Sequence, residues 1–240
     1  MKRTIIATLL LVSLLGGAGW RMPALAQQTP TAGPVQPFEV ESGHAIGLSP
    51  DGTMYAVVIK QSALCVYDTA TQDELSCADL ELLRAGIRIE DVVWSPDSTR
   101  LAFGENGFRY GEDGDLWVVD AATGELTNLT DDGYEGSLLS FGNDEEAEQT
   151  FSLDIAPAWT PDSQFITFSR SPFIDGERQG NELAQVPATG GEVEILATIP
   201  NAEPGTVYFG TGWAPTGDIF YFSLTHIDND NPENGIWTYD

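Results

Sequence analysis

The chain has 240 residues, with 37 acidic against 10 basic side chains, a formal net charge of −27, and 42% hydrophobic and 10% aromatic residues. A surface this acidic repels phosphate backbones and anionic lipid headgroups, so no nucleic-acid partner and no peripheral membrane docking are expected. The apolar content is too high for a disordered acidic tail.

Residues 1–26 read as a signal peptide. Lys2 and Arg3 start it, residues 5–15 form an almost unbroken apolar run, and Pro23 precedes Ala24-Leu25-Ala26, a small-residue cleavage pattern. The run is shorter than the roughly 20 residues that span a bilayer. Secretion or a periplasmic location is therefore expected, with no membrane insertion after cleavage. Loss of this segment leaves 37 acidic against 7 basic residues, a net charge of −30. Residues 27–43 are a Pro/Gln/Thr linker that ends in a candidate closing strand near Phe38 to Val40.

From residue 44 onward one pattern recurs four times: Leu48-Ser49-Pro50-Asp51-Gly52, Trp94-Ser95-Pro96-Asp97-Ser98, Trp159-Thr160-Pro161-Asp162-Ser163 and Trp213-Ala214-Pro215-Thr216-Gly217. The prolines are 46, 65 and 54 residues apart, the span of a propeller blade with variable loops. An indole fills the gap between stacked sheets, Pro ends the strand, and Asp followed by Gly or Ser makes a tight turn. A second strand follows each turn. A third and fourth, joined by a short turn, follow in the first three repeats, as in Leu116-Trp117-Val118-Val119-Asp120 and Leu126-Thr127-Asn128-Leu129-Thr130. The predicted fold is an all-β propeller of four-stranded antiparallel blades over 44–240, with blades near 44–80, 90–130, 153–198 and 206–240. About four blades are present. The last is incomplete, since 235–240 aligns with the third strand of blade two, which suggests a chain cut from a larger ring.

In the first blade, pairing Asp68 with Glu74 sets Tyr67 opposite Leu75 and Cys65 opposite Cys77. Facing Cβ atoms on neighbouring strands lie about 4.5–5.5 Å apart, near disulfide reach. A Cys65–Cys77 bridge is expected, closing a loop worth on the order of 3 kcal/mol.

The repeat then resembles that of the TolB-type propeller family, most clearly in blade two. The family's separate N-terminal α/β domain has no counterpart here. The resemblance implies fold and leaves function open, because the same repeat occurs in envelope scaffolds and in the propellers of secreted peptidases. No catalytic set stands out: the two histidines are His44 and His226, and there is no Gly-x-Ser-x-Gly or His-Glu-x-x-His segment. Loops at 105–114, 170–180 and 225–234 fall at the same point of each repeat, so they cluster on one face. Phe108, Arg109, Tyr110, Phe173 and Arg178 are its binding candidates. Asp228, Asp230 and Glu233 place oxygen ligands in one loop, a candidate Ca²⁺ site without EF-hand spacing. Two functions fit. One is a non-catalytic module that binds a protein, peptide or glycan through the loop face. The other is the N-terminal propeller of a secreted hydrolase, such as a prolyl-oligopeptidase-like serine peptidase, whose catalytic domain lies beyond residue 240.

Overall fold

The computed structural model describes residues 43–60, 62–80, 89–105, 114–134, 150–198, 207–225 and 230–240. The expected signal peptide, the linker up to residue 42 and the candidate closing strand lie outside these residues. The described residues form sixteen strands and no α-helix.

The strands make four antiparallel sheets. The first contains β1 (Gly43–Leu48), β2 (Met54–Ile59), β3 (Ala63–Asp68) and β4 (Glu74–Asp79). The second contains β5 (Ile89–Trp94), β6 (Arg100–Glu105), β7 (Leu116–Asp120) and β8 (Leu126–Asn128). In the third, β9 (Thr150–Trp159) and β10 (Phe165–Ile174) pair along their length, and β11 (Glu177–Arg178), β12 (Glu182–Pro187) and β13 (Glu194–Thr198) complete the sheet. The fourth contains β14 (Val207–Trp213), β15 (Phe220–Thr225) and β16 (Gly235–Tyr239).

Buried residues run consecutively along the central strands β2, β3, β6 and β10, and successive side chains point to opposite faces, so both faces of a sheet need cover. The sheets meet this need by stacking in chain order. Ala56, Val58, Leu64 and Val66 of the first pack on Leu101, Phe103 and Val119 of the second. Ala102, Leu116 and Val118 pack on Trp159, Ile166 and Phe168 of the third. Leu183 packs on Phe220, Phe222 and Leu224 of the fourth. This is the face-to-face packing of propeller blades.

The Ser-Pro-Asp turns work as the sequence suggests and do one thing more. The Ser95 hydroxyl donates to Asp97 at 2.6 Å and accepts from the Arg100 amide at 2.9 Å; Ser49 and Thr160 repeat both contacts. These bonds to the anionic form hold the Asp51 carboxyl down at about 2, with the Ser49 hydroxyl contributing most. Ser98 and Ser163 occupy the left-handed region (φ 63° and 60°) where the first and fourth repeats use Gly52 and Gly217. That conformation costs a serine about 1–2 kcal/mol. Each serine offsets the cost across a seam: the Ser98 hydroxyl accepts the Asp51 amide and the Ser163 hydroxyl the Asp97 amide, both at 3.1 Å.

Two local expectations change. Tyr67 faces Glu74 rather than Leu75, because the Asp68 carboxylate closes its turn onto Ala70 and Thr71 and a bulge takes up the extra residue. Cys65 still faces Cys77, and the two form the disulfide. The 170–180 segment is mostly strand rather than loop. Asp175 and Gly176, both at positive φ (48° and 79°), turn β10 tightly into β11.

Two stability effects follow. A Cβ on Gly124 (φ +73°) would sit 2.5 Å from the Cys77 carbonyl oxygen in the neighbouring sheet, whereas one on Gly52 (φ +75°) meets nothing. Gly124→Ala should therefore destabilise by about 2–4 kcal/mol in urea unfolding and Gly52→Ala by only about 1 kcal/mol; equal losses would refute the close seam. Replacing both cysteines with serine should cost on the order of 3 kcal/mol by the same measurement.

Candidate functional site

The end of the stack opposite the Ser-Pro-Asp turns carries the buried carboxylates Glu105, Asp115 and Asp154. Asp115 leads into β7, Asp132 follows β8, Ser152 and Asp154 lie on β9, and Arg170 faces Asp154 from β10. The backbone brings them together: Gly114 pairs with Leu153 in a parallel bridge, and the Asp154 amide donates to the Gly114 carbonyl at 2.9 Å. Second and third sheets are thus tied by main chain at this point.

Each carboxylate has a different environment. Asp132 is exposed and accepts the Ser152 amide at 2.7 Å and the Tyr134 amide at 3.1 Å. Asp115 is buried and accepts from Asn128 at 2.8 Å and from the Thr130 hydroxyl at 3.4 Å. Asp154 has no exposed surface, and neither of its carboxylate oxygens has a hydrogen-bond partner. Arg170 sends Nε and Nη2 to the Ser152 hydroxyl at 3.0 and 2.9 Å, and its Nη1 reaches only to 3.7 Å from Asp154. Burial pushes the Asp154 carboxyl up to about 8; Arg170 opposes the shift, and Asp115 and Asp132 add to it. Burial also raises Asp115 and Asp132. One guanidinium, 3.7 Å from Asp154 and hydrogen-bonded to Ser152, does not neutralise the two buried carboxylates Asp115 and Asp154, with exposed Asp132 adding to their repulsion, so protonation of Asp154 is the cheaper route.

On the other face of the third sheet, Phe173 and Arg178 face each other across β10 and β11. Phe173 is half-buried and stacks on Phe151 at 4.8 Å, and Phe151 stacks on Tyr134 at 4.8 Å. Arg178 is also half-buried, donates to Ser171 at 3.0 Å and contacts Asn181, and burial lowers its pKa. Both residues are thus built into the sheet as well as facing its loop end.

Phe108, Arg109, Tyr110, His226 and Asp228 lie outside the described residues. His44 is exposed on β1. Asp230 and Glu233 sit in the turn before β16, where the Glu233 amide donates to Asn231 and its carbonyl accepts the Trp237 indole. Among the described residues, the one grouping of His, Cys, Asp and Glu compact enough for a common ion is Cys65, Glu74 and Cys77, and the disulfide consumes both its sulfurs. The polar seam itself was not anticipated from sequence. In Phe151-Ser152-Leu153-Asp154-Ile155 the polar residues alternate with apolar ones, so period two reads Ser152 and Asp154 as a solvated face and hides their burial.

Residues 46–172 match the family described as the dipeptidyl peptidase IV (DPP IV) N-terminal region. The chain belongs to this family. No curated protein matches it. Among solved structures, the fold is similar to one from a study of two prolyl endopeptidases (14% identity, 72% of this chain, TM-score 0.48). It is similar too to an oligogalacturonate lyase from Vibrio parahaemolyticus (13% identity, 83% of this chain, 66% of that one, TM-score 0.34). A third is the computationally designed Ika4 protein (11% identity, 85% of this chain, 98% of that one, TM-score 0.48). The chain spans 24% of the prolyl endopeptidase chain.

The Asp154 environment sets a pH dependence. In the unfolded chain its carboxyl loses its proton near 4; in the fold it keeps the proton up to about 8. Between these values the unfolded state binds fewer protons, so stability falls as pH rises and the loss is complete above 8. At about 1.4 kcal/mol per pH unit the upper bound is on the order of 5 kcal/mol. Asp154→Asn should remove this slope, so its stability relative to wild type should rise from pH 5 to pH 9 in urea unfolding. Parallel curves would contradict the assignment.

Proposed function

We propose that this chain is the propeller region of an exported peptidase of the dipeptidyl peptidase IV type, set ahead of a hydrolase domain in the complete protein. The observation that carries this reading is the family match over residues 46–172. The stacked sheets support it, because a rigid propeller presents its loops from one end, where a partner domain or a peptide can meet them. The TolB-type motif string is then the same repeat used in a peptidase setting. Export rests on the N-terminal segment 1–26, and the acidic surface suits a soluble exported protein without a nucleic-acid partner.

In this role the propeller supplies no nucleophile. Its loop end, with Phe173 and Arg178, restricts and orients the peptide that reaches the catalytic domain. The competing reading is a free-standing module that binds a protein, peptide or glycan.

The two readings separate on the complete gene product. Its coding sequence past Asp240 should contain a Gly-x-Ser-x-Gly segment, the nucleophile turn of an α/β-hydrolase. The purified full-length protein should release dipeptides from unblocked peptides and label with a fluorophosphonate. A reading frame that yields only further blades, with neither cleavage nor labelling, would establish the binding module instead.

A further inference from the structure

We propose that Asp154 is a proton-operated latch on the seam between the second and third sheets, closing that seam when protonated and loosening it when ionised. This rests on the seam's geometry and is independent of the peptidase reading.

The cross-seam bond belongs to the same residue as the titrating group. The Asp154 amide donates to Gly114 of the second sheet at 2.9 Å, while its wholly buried carboxyl has no well-formed hydrogen bond; the nearby Thr130 hydroxyl, which favours the ionised form, is already engaged with Leu116 and Asp115. Ionisation therefore places an unsolvated charge directly beside the main-chain tie that joins the sheets.

The charged groups around it set the response. From β10 comes Arg170, whose Nε and Nη2 already serve Ser152 and whose Nη1 lies 3.7 Å from Asp154. Glu182 of β12 is the cross-strand neighbour of Arg170 on its other side, in the same row as Asp154. From the second sheet come Asp115, ahead of β7, and Asp132, after β8, both adding negative potential at Asp154. Glu105 of β6 is buried but turned away, its carboxylate accepting the Trp117 indole at 2.9 Å on the side that faces the first sheet. From β5 the described charged side chain is Asp91, which is exposed. Arg170 is the one cation of this set, and it is shared. With the proton on, Asp154 is neutral and the seam holds. With the proton off, separating the sheets admits water to the charge and becomes easier.

The 1–240 chain tests this by amide hydrogen exchange between pH 6 and pH 9, with rates corrected for intrinsic exchange. The protection of Asp154 should fall at least tenfold over that range. The Asp51 amide, which crosses the first seam to Ser98, should stay flat. Asp154→Asn should abolish the fall. Asp115→Asn, which removes one like charge, should move its midpoint to lower pH and serves if the first variant does not fold. A flat wild-type profile, an unchanged fall in Asp154→Asn, or an upward shift in Asp115→Asn would each overturn the latch.

Discussion

The stack depends on an indole at the end of a sheet's first strand, which donates its N–H to the sheet before it. Trp94 reaches the Gly47 carbonyl at 3.2 Å, Trp159 the Val93 carbonyl at 3.1 Å and Trp213 the Thr167 hydroxyl at 2.9 Å. The ring fills the space between sheets, and its one polar atom is satisfied only when the preceding sheet is in place. A single blade can therefore neither bury its face nor complete its tryptophan, which makes folding cooperative between neighbours. The first repeat fits the same logic from the other side. Where the others have Trp it has Leu48, and that side chain is 59% exposed.

The three seams share this indole and differ in what surrounds it. The first is drawn tight by Ser98, by the Ser76 hydroxyl donating to the Ala121 carbonyl at 2.8 Å, and by Gly124 lying against Cys77. At its turn end the second gains Arg100, which spans to the Ser163 and Ala188 carbonyls and lies over the Trp159 ring. The third has Gly217 where Ser98 and Ser163 stand, so the serine bridge is missing there. The middle seam is thus anchored by a cation and a serine at one end and by a main-chain bridge beside a buried carboxylate at the other. Its two ends differ in chemistry: Arg100 hydrogen-bonds main-chain carbonyls, whereas the Asp154 carboxyl is buried and pushed up to about 8.

Features carried by strict spacing were legible in the sequence. The four turns, the strand order within each sheet and the facing cysteines all follow from a period of two and from Pro and Gly punctuation. What escaped needed two distant segments at once. Asp115, Asp132 and Asp154 belong to different connections and meet only after the second and third sheets stack, so no local window contains them. The Asp175–Gly176 hairpin was a different kind of miss. Its Asp-Gly pair is a local hairpin signal, but Pro172 and the charges around it read as loop. The bulge opposite Tyr67 was hidden because an Asp side chain, rather than strand spacing, sets where that turn closes.

The hairpin also divides the loop end in two. The family match runs through residue 172 and so includes Asp115, Asp132, Asp154 and Arg170, whereas Phe173, Arg178 and Asn181 lie just past it. The matched part includes the buried seam, with its excess of carboxylates over cations, where the second and third sheets meet. The part beyond is a tight two-strand projection carrying a stacked ring and a half-buried guanidinium. A seam that sets geometry and a hairpin at the sheet's edge make opposite demands, since the first needs closure and the second tolerates exposure. Joining them through one ten-residue strand, β10, lets the third sheet serve both: Arg170 belongs to the seam, and three residues later Phe173 belongs to the projection. β10 thus runs from the seam to the hairpin tip as one continuous strand, with no loop between Arg170 and Phe173.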